Sequence, residues 1–132
     1  MRRIKTRAVP KPTEAELAIL RVLWQFGRST VRQVFDELNR TARTGYTTVL
    51  KILQIMTEKG LVRREEEGRL HVYEAVLTQD QTQQQLVRHL LERAFGGSAH
   101  KLVQHALTAK KATPEEVAEI RQLLNKMERG LR

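Results

Sequence analysis

The sequence predicts a mainly helical protein carrying one small β-hairpin, and three observations lead there. The first is the segment from Arg43 to Val76. In it the apolar residues Val49, Ile52, Leu53 and Met56 fall on one helical stripe, while Thr47, Lys51, Gln54 and Glu58 occupy the opposite face with Thr48 beside it. The second is the hairpin directly behind this helix. Gly60 stops the helix, and two strand-like runs then flank a Glu67-Gly68 turn signal. The third is a row of helix-start signals, because Thr13 with Glu16, Thr30 with Gln33 and Thr113 with Glu116 all have capping-box spacing. A polar-faced helix followed by a basic hairpin is the layout of a winged helix-turn-helix.

The N-terminal helices come first. One from about Glu14 to Phe26 buries Leu17, Leu20, Val22, Leu23 and Trp24, and Gly27 ends it. A second, from about Val31 to Asn39, turns Val31, Val34, Phe35 and Leu38 inward. The polar-faced third helix and the hairpin complete a unit over residues 13–78. Three short helices with modest apolar stripes cannot each stand alone, so they pack on one another and on the wing. Residues 1–12 read as a basic flexible tail (Arg2, Arg3, Lys5, Arg7, Lys11), which could lie along DNA as an arm.

Residues 79–132 differ in character. Gln79 to Phe95 is a helical pattern with Leu86, Val87, Leu90, Leu91 and Ala94 inward, its Gln-rich start forming a solvated face. Gly96-Gly97 breaks it and Ser98 caps the next helix. Leu102, Val103, Ala106 and Leu107 form a second stripe; Val117, Ile120, Leu124 and Met127 form a third near heptad spacing, after Pro114 in the first helical position. These helices are too few to enclose a core. The economical reading is that two copies wrap together, which makes this segment a helical dimerisation arm; an intramolecular cap on the winged helix is the alternative.

Composition sets bounds. The chain has 132 residues and a formal net charge of +9, spread over both segments, which suits a polyanionic partner such as DNA. Cysteine is absent, so disulfides and thiolate metal sites are excluded. The histidines His71, His89, His100 and His105 lack ligand spacing, and no glycine-rich phosphate loop or catalytic constellation is present. No metal, cofactor or enzymatic activity is expected. No apolar run approaches the ~20 residues of a membrane span, and the basic start lacks a secretion signal's apolar core, so no membrane insertion and a cytoplasmic location are expected.

Reading DNA calls for short hydrogen-bonding groups near the start of the reading helix. Tyr46, Thr47 and Thr48 fill those places, with Arg43 just before them and Lys51 one turn on. The bland alternatives are that Thr48 caps or packs and that Tyr46 is a half-buried anchor. Arg63, Arg64, Arg69 and His71 are the wing's candidate phosphate or minor-groove contacts. The Glu65-Glu66-Glu67 run is unfavourable near DNA and should point away.

Four runs carry a family resemblance: T-E-A-E-L-A-I-L-R-V-L-W from Thr13, Y-T-T-V-L from Tyr46, E-K-G-L-V-R-R from Glu58, and F-G-G-S followed, after three intervening residues, by L-V. Over residues 13 to 127 the chain resembles the penicillinase and methicillin-resistance repressor family, which has a copper-responsive branch. The resemblance implies a homodimeric winged-helix repressor on an inverted-repeat (palindromic) operator in double-stranded DNA. Many members have Thr where this chain has Lys51 and Arg where it has Ile55, so the operator can depart from the TACA/TGTA-type half-sites the resemblance suggests. The copper branch's paired cysteines have no counterpart. In the penicillinase branch a membrane sensor metallopeptidase system inactivates the repressor by cleavage of an Asn-Phe bond in the arm, and the matching bond here is His105-Ala106. A non-specific architectural or protein-interaction module on the same fold is the competing functional reading. Thr47 and Thr48 beside Lys51 favour specific reading, because a purely electrostatic binder would place Lys and Arg there.

Overall fold

A computed structural model describes residues 9–131. In chain order these form α1 (Glu14–Phe26), β1 (Ser29–Thr30), α2 (Val31–Leu38), α3 (Tyr46–Lys59), β2 (Val62–Glu67), β3 (Leu70–Ala75), α4 (Gln79–Ala94), α5 (Ala99–Ala109) and α6 (Pro114–Gly130). The strands make an antiparallel sheet in the order β1-β3-β2. The mainly helical class with a small β-wing is therefore correct. The tail residues Arg2, Arg3, Lys5 and Arg7 lie outside the described residues; Lys11 lies within them and is exposed.

The chain divides into two compact units between Val87 and Arg88, inside α4. The first is the head. Its core joins Ile19, Leu20 and Leu23 of α1, Val31 and Val34 of α2, Val49, Leu53 and Met56 of α3, and Leu61, Val62 and Tyr73 from the wing. Helix α1 thus faces inward along positions 16, 19, 20 and 23, the period of a helical stripe. Leu17 and Trp24, expected in the core, flank that stripe and are only half-buried, whereas Ile19 is central. Trp24 sits at the rim because its indole N–H donates to the Leu77 carbonyl at 3.0 Å, a partner a fully apolar site would deny it.

Caps set the helix limits. Thr13 and Glu16 bond reciprocally around the start of α1, as do Thr30 and Gln33 around α2. At α6 the Thr113 hydroxyl accepts from the Glu116 amide, and at α5 Ser98 accepts from Lys101. Thr78 and Gln81 form a further reciprocal pair at the start of α4, at 2.9 and 3.1 Å. Gly60 ends α3 with φ +85°, the left-handed conformation that a side chain would strain.

Three expectations need correction. Ser29 and Thr30 add a third strand by pairing with Tyr73 and Val72, too short a run to announce itself. The hairpin loop is Gly68-Arg69, not Glu67-Gly68, since Glu67 still pairs with Leu70. Gly68, with φ +63°, takes the first loop position, where a positive φ is needed. The Gln-rich start of α4 is not wholly solvated: Thr82 is buried, and the half-buried Gln85 donates to the Val9 carbonyl.

The second unit, residues 88–132, holds the rest of α4 with α5 and α6. Neither α5 nor α6 contains a buried residue.

Candidate nucleic-acid interface

The start of α3 is set by the turn before it. Asn39, just past the end of α2, donates to the Phe35 carbonyl at 2.9 Å and to the Thr44 carbonyl at 2.9 Å, and its side-chain oxygen accepts from the Thr44 amide at 3.1 Å. One amide side chain thus closes the turn and leaves none of its own groups idle. Its position at a helix end was the only hint in the sequence. Arg43 lies exposed in the same turn.

Helix α3 then begins at Gly45, which supplies no side-chain cap. Its first backbone bond runs from Val49 to the Gly45 carbonyl, so the amides of Tyr46, Thr47 and Thr48 precede the helical ladder. Free amides and the positive end of the helix dipole therefore coincide with the exposed side chains of Thr47 and Thr48. The starts of α1, α2, α4, α5 and α6 each have a hydroxyl in the capping role. Lys51 and Gln54 are exposed further along α3. Tyr46 packs edge-on against Phe35, ring centroids 5.6 Å apart, and the Arg32 guanidinium lies 5.7 Å from both rings. Tyr46 is thus half anchor and half surface, held from below by α2. Arg32 gave no signal in the sequence because only the fold brings it beside Tyr46.

The other end of α3 is fastened to α1. Lys59 Nζ lies 2.8 Å from Glu16 Oε2, and Glu16 also accepts from the Thr13 amide at 2.9 Å. Burial alone pushes the Glu16 carboxyl up, but the Lys59 ammonium and the Thr13 contacts outweigh it and hold the carboxyl below its ordinary value of 4.5. Sequence spacing assigns Glu16 only its capping role. A sequence separation of 43 hides the pair.

Strand alternation sorts the wing candidates onto two faces. Register places Arg64, Glu66, His71 and Tyr73 on one face and Arg63, Glu65, Glu67 and Glu74 on the other. Arg64 shares a surface groove with Gln54, Thr57 and Glu58, so it lies beside the exposed side of α3. Arg63 is tied instead to Glu74 at 3.2 Å, and Arg69 sits in the loop at the tip. The acidic run does not point away as a block. Glu65 and Glu67 turn to Arg28, at 3.2 and 2.8 Å, whereas Glu66 stands 3.9 Å from His71 on the face of Arg64.

In the second unit and the adjoining part of α4, Leu86, Leu102 and Ile120 are half-buried, while Leu90, Val103, Ala106, Leu107, Val117, Leu124 and Met127 are exposed. The His105-Ala106 bond lies inside α5, and the His105 ring packs tilted against Phe95, ring centroids 5.7 Å apart. Among the described residues no group of His, Asp and Glu could hold a metal ion, and no helix is long and apolar enough to cross a membrane.

Comparison with known proteins bears on this surface. The family model described as penicillinase repressor matches residues 12–126. The penicillinase repressor of Bacillus licheniformis is 25% identical over 118 residues, spanning 89% of this chain and 92% of that protein. The transcriptional regulator BlaI of Mycobacterium tuberculosis is 29% identical over 119 residues, 89% of this chain and 85% of its own length. Among solved structures, the DNA binding domain of the repressor BlaI superposes with a TM-score of 0.50 at 26% identity, covering 56% of this chain and 90% of that domain.

Proposed function

The chain belongs to the penicillinase repressor family, and from that premise we propose that it is a sequence-specific DNA-binding transcriptional repressor, acting as a homodimer on an inverted-repeat operator and relieved by proteolysis in its arm. The observation that carries the reading is the start of α3. There Thr47, Thr48 and Lys51 stand exposed beside uncapped amides. Threonine can donate to or accept from a base edge and touch a thymine methyl, Lys51 reaches guanine or phosphate, and free amides favour a phosphate oxygen. Arg64 and the exposed Arg43 are further backbone contacts. Phosphate contacts position the helix, and base contacts make the choice.

Dimerisation is supported by the aliphatic residues of α4, α5 and α6 that no intramolecular core covers. Two heads related by a two-fold axis read an inverted repeat, and linking them raises the effective concentration of the second head to roughly millimolar. Cutting the arm between His105 and Ala106 would remove that gain without touching α3. A helical bond must first open locally, and the exposure of both residues lowers that cost. A membrane sensor metallopeptidase is the partner class that would trigger the cut.

The test is discrimination. Thr47→Ala and Lys51→Ala are each expected to weaken a selected operator by about 1–3 kcal/mol, and random DNA by less. Arg64→Ala should weaken both alike and flatten the salt dependence. Equal losses on operator and random duplex for both α3 variants would overturn specific reading and favour an architectural role.

A further inference from the structure

Helix α3 has one aliphatic residue that the core does not use. Val49, Leu53 and Met56 are buried in it, and Leu50 and Ile52 pack against it. Ile55 does not; it is 37% exposed. It falls four residues after Lys51 and seven after Thr48, so the three lie along one stripe of the helix. A solvent-facing helix position ordinarily takes a long charged or amide side chain, since a β-branched residue lowers helix propensity and here gains no place in the core.

We propose that Ile55 is a specificity-determining residue that reads the C5-methyl group of a thymine in the major groove. The inference rests on α3 being the DNA-reading helix. Its neighbours on the stripe are polar, so the exposed patch is one side chain wide, which fits a single methyl group and not a protein surface. Methyl contact is the only apolar signal that the major groove offers, and it separates thymine from the other bases without hydrogen bonding. Isoleucine suits the task because β-branching holds it in essentially one rotamer within a helix, so little side-chain freedom is lost on contact. The helical rise puts Ile55 about 10 Å beyond Thr48, or roughly three base-pair steps along the groove. Thr48 and Lys51 would then fix polar edges at one end of the half-site, and Ile55 would add a thymine further along.

The experiment uses the full-length chain. An operator is selected from random duplexes, and each of its thymines is replaced in turn by deoxyuridine, which removes only the methyl group. Affinity is measured for the unaltered protein and for Ile55→Ala, a substitution that favours the helix and should fold. At one thymine per half-site the unaltered protein is expected to lose about fourfold on uracil substitution, the factor carried by one methyl-sized group. Ile55→Ala should show no loss at that position and keep its losses at every other. Ile55→Val, which retains a branched methyl pair, should restore part of the sensitivity. If no thymine loses its uracil effect in Ile55→Ala, the assignment is overturned while operator reading stands. If selection enriches no sequence at all, the repressor reading falls and takes this inference with it.

Discussion

The head and the arm obey opposite rules. In the head, α1, α2, α3 and the wing close a common core in which Ile19, Val34, Val49, Leu53 and Met56 are completely buried. In α5 and α6 nothing is buried, although both helices start with well-formed hydroxyl caps. Local instructions are therefore equally good in the two regions, and only the tertiary return differs. Covering a Val, Leu, Ile or Met side chain is worth about 1.5–3 kcal/mol. The head collects that gain within one chain; the arm leaves Leu123, Leu124 and Met127 more than half exposed. A helix of this length is marginal by itself in water, so the arm's stability must depend on what covers it, and on concentration when the cover is another copy.

The largest expected effect separates the two rules directly. Leu53→Ala opens a cavity in the head and should cost about 2–5 kcal/mol, regardless of protein concentration. Trp24, the chain's single tryptophan, lies in the head and reports that transition by fluorescence during urea unfolding. Leu124→Asp should leave the Trp24 transition of the isolated chain almost unmoved, because residue 124 is no member of the head's core, yet abolish assembly by placing a charge in an apolar interface. Sedimentation reads the second outcome. An unaltered protein that is monomeric at micromolar concentration would break the comparison, and so would a Leu124→Asp variant that still dimerises.

A smaller effect tests the fastening of α3 within the head. Glu16 is almost wholly buried and its carboxyl is held below its ordinary value. A group whose folded-state pKa is depressed adds stability that is fully present above its unfolded value and is lost as pH falls through the folded one. The head should therefore weaken on the acid side of 4.5. Glu16→Gln, which keeps the shape but not the charge, should cost about 1–3 kcal/mol at neutral pH and remove this part of the acid sensitivity. The measurement is the urea midpoint across a pH series. An unchanged acid slope in Glu16→Gln would assign that sensitivity to other carboxylates.

The same contrast explains what was legible in the sequence. Helix periodicity and capping pairs are local, and they locate the helices of both regions to within a residue or two. The exposed positions on α3 are readable for the same reason, since one helix's stripe determines its other face. Non-local pairings leave no such trace. Glu16 with Lys59, Arg28 with Glu65 and Glu67, and Trp24 with Leu77 are each defined by the closed fold. The wing shows the limit most clearly. Its basic residues are visible in the sequence, but the turn signal puts the hairpin loop one residue early, and strand register decides which arginine lies beside α3. That is why Arg63 and Arg64, equivalent by type, are not equivalent by position.

The smallest expected effect asks whether the head settles its surface charge internally as it does its apolar surface. Arg28 bridges Glu65 and Glu67 at the end of the wing, with all partners substantially exposed. Such pairs are worth about 0.2–1 kcal/mol, so Arg28→Ala should scarcely move the urea midpoint. Its consequence lies elsewhere. Without Arg28, two wing carboxylates lose their counter-charge, and a duplex docked on α3 would meet an added repulsion. Affinity should fall by about two- to fivefold, equally on operator and random DNA, because no base contact is involved. The loss should shrink between 0.1 M and 1 M salt, as the screening length drops from about 10 Å to about 3 Å. Adding Glu65→Gln and Glu67→Gln to Arg28→Ala should restore binding, since the repulsive charges are then gone. A loss that survives this restoration would make Arg28 itself a phosphate contact, and the wing's charge would then be turned outward to DNA, not balanced within the head.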